Sequence, residues 1–320
     1  MVTTSAPGKL MLFGEHAVVH KRPCLVMSVD SRMNVSLNRR KDGKINLNAP
    51  DLKIKDYCFP LVDLKNSHPK ETQFVLAAIK NFFEKYKIKS GLEIKTKSKI
   101  SSKYGLGSSS AVTVSTIKGL AELFKIKITK KELFDLSYKT VLDIQGVGSG
   151  FDVAAAVYGG ILYFIIGGKT IEEIRAERIP ILVGYTGIKA DTPTLVKMIS
   201  KRLLNEPKKI NKIFDEIKKI VDLAKVEIEN SNWKRVGELM NLNQDLLRDL
   251  GVSSEKLEDL IKAALKAGAW GAKLSGAGGG DCIITMAEKE NYDKIKKAIE
   301  KAGGKIISVK FPAEGVKILG

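Results

Sequence analysis

The sequence predicts an α/β protein of two lobes sharing one cleft, and three observations carry that prediction. Its 320 residues exceed what one core comfortably holds and suit two fused lobes. Hydrophobic residues at 44% and charged residues at 28% describe a globular enzyme rather than a fibrous or disordered chain. Short apolar or alternating runs, punctuated by Gly, Pro, Asp and Asn, give way repeatedly to segments of helical period.

Taken in order, residues 9–13, 25–29, 33–37 and 44–47 read as strands separated by turn residues. Residues 68–86 form the first clear helix, with Phe74, Ala77, Ala78, Ile79, Phe82 and Phe83 on its apolar face. A strand over 91–98 leads into a Gly/Ser segment and a helix over 111–124. A helix over 130–143, a glycine turn over 146–150, an apolar run over 151–157 and a strand over 161–166 complete the first lobe, 1–180. The second lobe, 181–320, opens with a strand over 181–185 and is dominated by helices at 194–202, 210–229, 233–249 and 256–267. Strands at 272–274 and 282–286 flank a glycine run, and a helix over 292–302 and a strand over 305–311 follow.

The net charge of +18 invites a nucleic-acid reading. Its pattern argues otherwise, because lysines run along the whole chain mixed with Glu and Asp at helical spacing, as solvated faces do. A basic field around an anionic-substrate cleft, or a heat-adapted surface, accounts for the charge equally well. No apolar stretch reaches the roughly 18 residues of a membrane span, so a cytoplasmic protein without nucleic-acid or membrane partners is expected. Cys24, Cys58 and Cys282 are odd in number and widely spaced, which suggests neither disulfides nor a thiolate metal site. They are expected to be buried and inert.

Gly105, Leu106, Gly107, Ser108, Ser109 and Ser110 stand at a strand-to-helix junction. Unpaired N–H groups at a helix start attract anions, small residues let phosphates approach the backbone, and serine hydroxyls can bind phosphate or magnesium. A plain turn with a serine cap is the simpler reading of such a cluster taken alone. A second glycine run, Gly276 to Gly280, forgoes side-chain packing and therefore suggests close backbone contact with something, or else a β-turn with a bulge. Lys9 lies in an otherwise apolar strand, where an ammonium is costly unless it meets an anion. Glu15 and His16 follow it, and Asp152 sits in another glycine turn. Singly, Asp152 reads as a helix cap and His16 as a structural histidine; together with two phosphate-type loops they look like a kinase site.

These segments, 5–20, 103–111 and 273–282, resemble in order and spacing the three motifs of the GHMP kinases, and the resemblance spans essentially the whole chain. It implies an N-terminal lobe of the ribosomal S5 type and a ferredoxin-like C-terminal lobe with extra helices. It implies ATP and Mg2+ as cofactors. ATP would lie along Lys103, Gly105, Leu106, Gly107, Ser108, Ser109 and Ser110, with Ser109 as metal ligand. Asp152 would be the base and Lys9 would stabilise transferred charge. Glu15, His16, Ser149, Gly276, Ala277 and Gly278 would face the acceptor.

Within the family the sequence is a mosaic. Gly14 to His20, Leu239 to Asn243 and 250–273 resemble mevalonate kinases, whereas Lys103-Tyr104, Gly148 to Ala156 and Asp281 resemble phosphomevalonate kinases. ATP-dependent phosphorylation of mevalonate to 5-phosphomevalonate is thus the expected reaction, with 5-phosphomevalonate as the alternative acceptor, and a homodimer is left open. Mevalonate kinases usually carry a magnesium-binding glutamate eleven residues before the base, where this chain has Val141. The resemblance then leaves the ion to Ser109, ATP oxygens and water, and implies that a glutamate restored at 141 would tighten it. A catalytically inactive binding protein of the same fold stays open for the same reason.

Overall fold

The computed structural model describes residues 1–100, 104–176 and 179–319. Strand β1 (Val2–Phe13) pairs antiparallel with β2 (Pro23–Arg40), and both shift register where Pro7 and Gly8 meet Val29 to Arg32. Two strands expected in 25–37 are therefore one 18-residue strand. Asp30 and Ser31 mark a corner rather than a turn. Before the corner β2 pairs β6 (Ile161–Ile165); beyond it β2 pairs β5 (Gly91–Ser98). β3 (Lys44–Ala49) runs parallel to β5 and antiparallel to β4 (Ile54–Pro60), and β7 (Thr170–Ile174) extends the β6 edge. The first helix starts later than its apolar pattern suggests, at Gln73, because Pro69 opens a short 3-10 turn, Lys70–Thr72, that precedes it.

Against this sheet pack α1 (Gln73–Tyr86), α2 (Ser108–Leu123), α3 (Lys130–Gln145) and α4 (Phe151–Tyr158). Helix α2 is buried nearly all round, as its run of small and apolar residues allows. Thr4 Oγ1 donates to the Ser115 carbonyl at 2.8 Å, and a Cβ on Gly119 would meet Leu37 at 2.7 Å, so the helix lies hard against β1 and β2. This contact aims the N-terminus of α2 at the cleft.

The second sheet has the order β11-β8-β10-β9, all antiparallel, from β8 (Ile181–Tyr185), β9 (Gly271–Ser275), β10 (Cys282–Met286) and β11 (Lys305–Ile307). With crossover helices this is the split β-α-β arrangement of ferredoxin-like lobes. α8 (Glu255–Lys266) and α9 (Tyr292–Lys301) bury Leu260, Ile261, Ile295 and Ile299 against each other and the sheet. α5 (Thr192–Asn205), α6 (Pro207–Glu229) and α7 (Trp233–Asp249) fill the long insertion. α7 seals the β9 edge with side-chain amides: Ala272 N–H donates to Asn241 Oδ1 at 3.1 Å, and Leu274 N–H to Gln244 Oε1 at 3.0 Å.

Helix α6 ties the lobes together. His20 stacks on Phe214 with ring centroids 4.7 Å apart, Arg22 pairs with Asp215 at 2.9 Å, and Tyr163 donates to Asp222 at 2.8 Å. The chain passes from the first sheet to the second between β7 and β8, but it does not stay in the second lobe. Ala313 N–H donates to the Ser28 carbonyl, Val316 N–H to that of Ala156, and β12 (Lys317–Ile318) pairs with β1, so the last described residues strap the first lobe. The strand expected over 305–311 is correspondingly only the short β11. Among the described residues no helix is long and apolar enough to cross a membrane.

Candidate active site

Three loops meet where β1, α2 and α4 converge. Lys9 N–H donates to the Leu106 carbonyl at 3.0 Å, fixing the middle of β1 to the Gly/Ser segment. Gly107, at φ +79°, is the residue before α2; a Cβ there would lie 3.1 Å from Lys9 Cγ and 3.8 Å from Asp152 Cβ. Only glycine lets the loop, the lysine stem and the aspartate come this close. The helix therefore begins at the serines rather than after them, and the backbone N–H groups of Ser108, Ser109 and Ser110 lie in its first turn without intrahelical acceptors. Positive partial charge is concentrated there.

The three serines do different things. Ser108 and Ser109 are half-buried, and their hydroxyls take no hydrogen bond from the described residues, so they can meet a phosphate or a cation. Ser110, expected among the ATP-binding residues, turns its buried hydroxyl the other way and donates to Asp152 Oδ2 at 2.5 Å. Its backbone N–H alone can serve an anion. Asp152 lies in the first turn of α4 and is not its cap, which is Gly150; its other oxygen accepts from Val153 N–H at 3.0 Å. Gly150 is packed on the Tyr138 ring, whose hydroxyl donates to the Gly148 carbonyl at 2.8 Å and so braces the turn before Asp152. Lys9 Nζ stands 5.2 Å above the Phe151 ring, next to the aspartate in sequence.

On the acceptor side the geometry corrects several expectations. Glu15 is fully buried at the lobe junction, where its Oε1 is ion-paired with Lys273 and its Oε2 has no partner among the described residues. His16 Nε2 lies 2.8 Å from the Ala277 carbonyl, which can only accept, so Nε2 carries the hydrogen. Burial holds this imidazole below its ordinary pKa and keeps it neutral. Gly278 also turns into the protein: a Cβ there would stand 2.1 Å from the Val252 carbonyl, and Gly280 is pressed on the Ile188 carbonyl. The second glycine run thus answers mostly to its own lobe. Gly276, with open space where a Cβ would go, and the half-buried Ala277 are the parts of it open to a ligand. Ser149 is buried, and its hydroxyl has no partner among the described residues.

Sequence reasoning left Asp281 out of the site. It holds φ +56°, accepts from Ala190 N–H at 3.0 Å, and presses its carboxylate on Gly105, where a Cβ would fall 2.3 Å from Oδ2. Burial raises its pKa, while Lys9 and Lys189 lower it. The signal available was a non-glycine residue closing a glycine run. Val141 is 3% exposed on the core face of α3, and Asp143 points elsewhere, to Lys139 at 2.6 Å and Asn81 at 2.8 Å. Among the described residues no three His, Cys, Asp or Glu side chains cluster as metal ligands. Lys103 lies outside the described residues. Cys24 and Cys282 are buried, and burial pushes both thiols up, Cys282 to about 12; Cys58 is exposed, contrary to expectation.

An anion-binding helix start, a lysine and a carboxylate within one small space can hold a polyphosphate and act on a hydroxyl beside it. Known proteins agree with that chemistry. The "GHMP kinases N terminal domain" matches residues 73–160 and "GHMP kinases C terminal" matches residues 224–305. A mevalonate kinase of Pyrococcus abyssi is 36% identical over 330 residues, covering 99% of this chain and 98% of that one. A mevalonate kinase of Methanothermobacter thermautotrophicus is 30% identical over 282 residues, covering 88% and 89%. The crystal structure of the Methanococcus jannaschii mevalonate kinase superposes with a TM-score of 0.84 at 30% identity, covering 97% of this chain and 98% of that one. With relatives this similar along almost its whole length, the chain belongs to the GHMP kinases and is a small-molecule kinase of that family.

Proposed function

We propose that this kinase transfers the γ-phosphoryl group of ATP to mevalonate, giving 5-phosphomevalonate. The observation that carries the choice of acceptor is the 36% identity to a mevalonate kinase over almost the full length of both chains. In this reading the N–H groups at the start of α2, with the Ser108 hydroxyl, hold the ATP phosphates. Asp152 orients the acceptor hydroxyl and takes its proton, held in place by Ser110 and Val153 N–H. Lys9 stabilises the developing alkoxide and the transferred phosphoryl charge. Gly276 and Ala277 close over the acceptor from the second lobe, with neutral His16 holding the Ala277 carbonyl.

The residues present fit a magnesium ion that travels with the nucleotide. Ser109 would be the protein ligand, since Val141 is in the core and no acidic cluster stands ready among the described residues. Bound there, the ion would neutralise phosphate charge.

The second reading is 5-phosphomevalonate as acceptor, favoured by Asp281 after the glycine run. Parallel turnover of mevalonate and 5-phosphomevalonate at equal enzyme concentration, read by coupled ADP release, decides between them. Mevalonate is expected to be phosphorylated; turnover of 5-phosphomevalonate alone overturns the reading.

A further inference from the structure

The Glu15–Lys273 pair has no counterpart in the phosphotransfer scheme, although both side chains are completely buried and come from different lobes. Glu15 follows β1 after Gly14, and Lys273 is the middle residue of β9. Lys273 Nζ donates to Glu15 Oε1 and, at 2.6 Å, to the Leu274 carbonyl. The other carboxylate oxygen, Glu15 Oε2, is buried and has no hydrogen-bond partner among the described residues. Two neighbouring contacts run between the same segments. Ser275 Oγ brackets Met11, donating to its carbonyl at 2.9 Å and accepting from its N–H at 3.1 Å, and His16 donates to Ala277. The three form a ladder from Met11 to His16 on one side and from Lys273 to Ala277 on the other.

A buried ion pair is a poor way to gain stability, because removing both charges from water offsets most of their attraction, and apolar residues of the same size would do as well. Such pairs are better suited to setting register, since the charges tolerate only one arrangement. The ladder begins two residues beyond Lys9 and ends at the open part of the second glycine run.

We propose that Glu15 and Lys273 are positioning residues that lock the register between the lobes, holding Gly276 and Ala277 at the working distance from Lys9 and Asp152. Neither touches the substrates. The inference rests on the phosphotransfer reading of the cleft and is independent of which acceptor is used.

The test compares Glu15→Gln, Lys273→Met and the apolar double variant Glu15→Leu/Lys273→Met, using whichever of mevalonate and 5-phosphomevalonate the wild type turns over. Thermal midpoints, KM for ATP, KM for the acceptor and kcat are measured for each. Both single variants are expected to lose thermal stability. The double variant is expected to regain it while kcat stays down by about 10²-fold with KM for ATP unchanged, the cost of misplaced reacting groups. A double variant with restored stability and wild-type kcat overturns the proposal, as does one that fails to fold, since the pair would then be a folding requirement. A raised acceptor KM in Glu15→Gln that Lys273→Met does not reproduce also overturns it, by making Glu15 a direct ligand.

Discussion

The Ser110 hydroxyl donates to Asp152 Oδ2 across 2.5 Å, joining the first turn of α2 to the first turn of α4. The helix proposed to bind the nucleotide and the candidate base are thereby one unit. Asp152→Asn is expected to lower kcat by about 10² to 10⁴-fold while ATP affinity stays within a few-fold of wild type. Ser110→Ala is expected to lower kcat by a smaller factor, again with little change in KM for ATP, because its side chain serves the aspartate and not the phosphates. Steady-state kinetics with nucleotide titration measure both. A Ser110→Ala variant that weakens ATP and leaves kcat intact would return that hydroxyl to the phosphate.

Lys9 packs its stem on Gly107, and its backbone holds Leu106. Lys9→Met keeps most of that packing and removes the charge, so kcat is expected to fall more than KM for ATP rises. An equal loss in ATP affinity would make the ammonium a ground-state phosphate ligand.

His16 gives a pH dependence with a definite sign. Its ordinary value is 6.5, and burial lowers it in the folded protein. Between the lowered value and 6.5 the unfolded chain binds a proton that the folded protein refuses, so stability falls as pH drops through this window. His16→Gln can still donate to the Ala277 carbonyl and does not titrate. The difference in unfolding free energy between wild type and variant, measured by denaturant from pH 7 to pH 5, is expected to shift toward the variant on acidification. A pH-independent difference would mean that the imidazole charges freely in the folded state.

Val141→Glu places a carboxyl group on the core face of α3. Leaving a polar group buried without a partner costs about 1–3 kcal/mol, and the magnesium requirement is expected to stay where it is. This reverses what the family pattern alone implies. Because burial raises a carboxyl pKa, the folded variant keeps its proton above the pH at which the unfolded chain releases it, so the destabilisation grows as pH rises through that window and is smallest in acid. Thermal unfolding at acidic and neutral pH, with a magnesium titration of turnover, checks both halves.

Much of this was legible in the sequence because the Gly/Ser segment depends on local chemistry. Gly107 and the three serines that open α2 suggest an anion site from composition and order alone. The strands escaped where they broke alternation gently: β2 reads as two because Asp30 and Ser31 look like a turn, and β7 is hidden by Glu172 and Glu173. The fate of Glu15 could not be read, since its partner is Lys273 and nothing local announces a pair so far apart in the chain. Gly278 and Gly280 misled for the same reason. A glycine required by a ligand and one required by the Val252 or Ile188 carbonyl look alike until the backbone is folded.

The strap over the first lobe sets a timetable for biosynthesis. Residue 318 pairs with residue 4, and Val316 N–H reaches the Ala156 carbonyl of the helix that carries Asp152. Until the strap is made, the outer edge of β1 at Thr4 and Ser5 has no strand to complete it and α4 lacks its outer brace. An unpaired strand edge is a template for wrong partners, so the first lobe without its strap is expected to be more prone to wrong pairing than the whole chain. Two lobes produced as separate polypeptides divided at residue 180 would leave the strap on the wrong piece, and recombining them would have to restore that strand before the aspartate could be held in place.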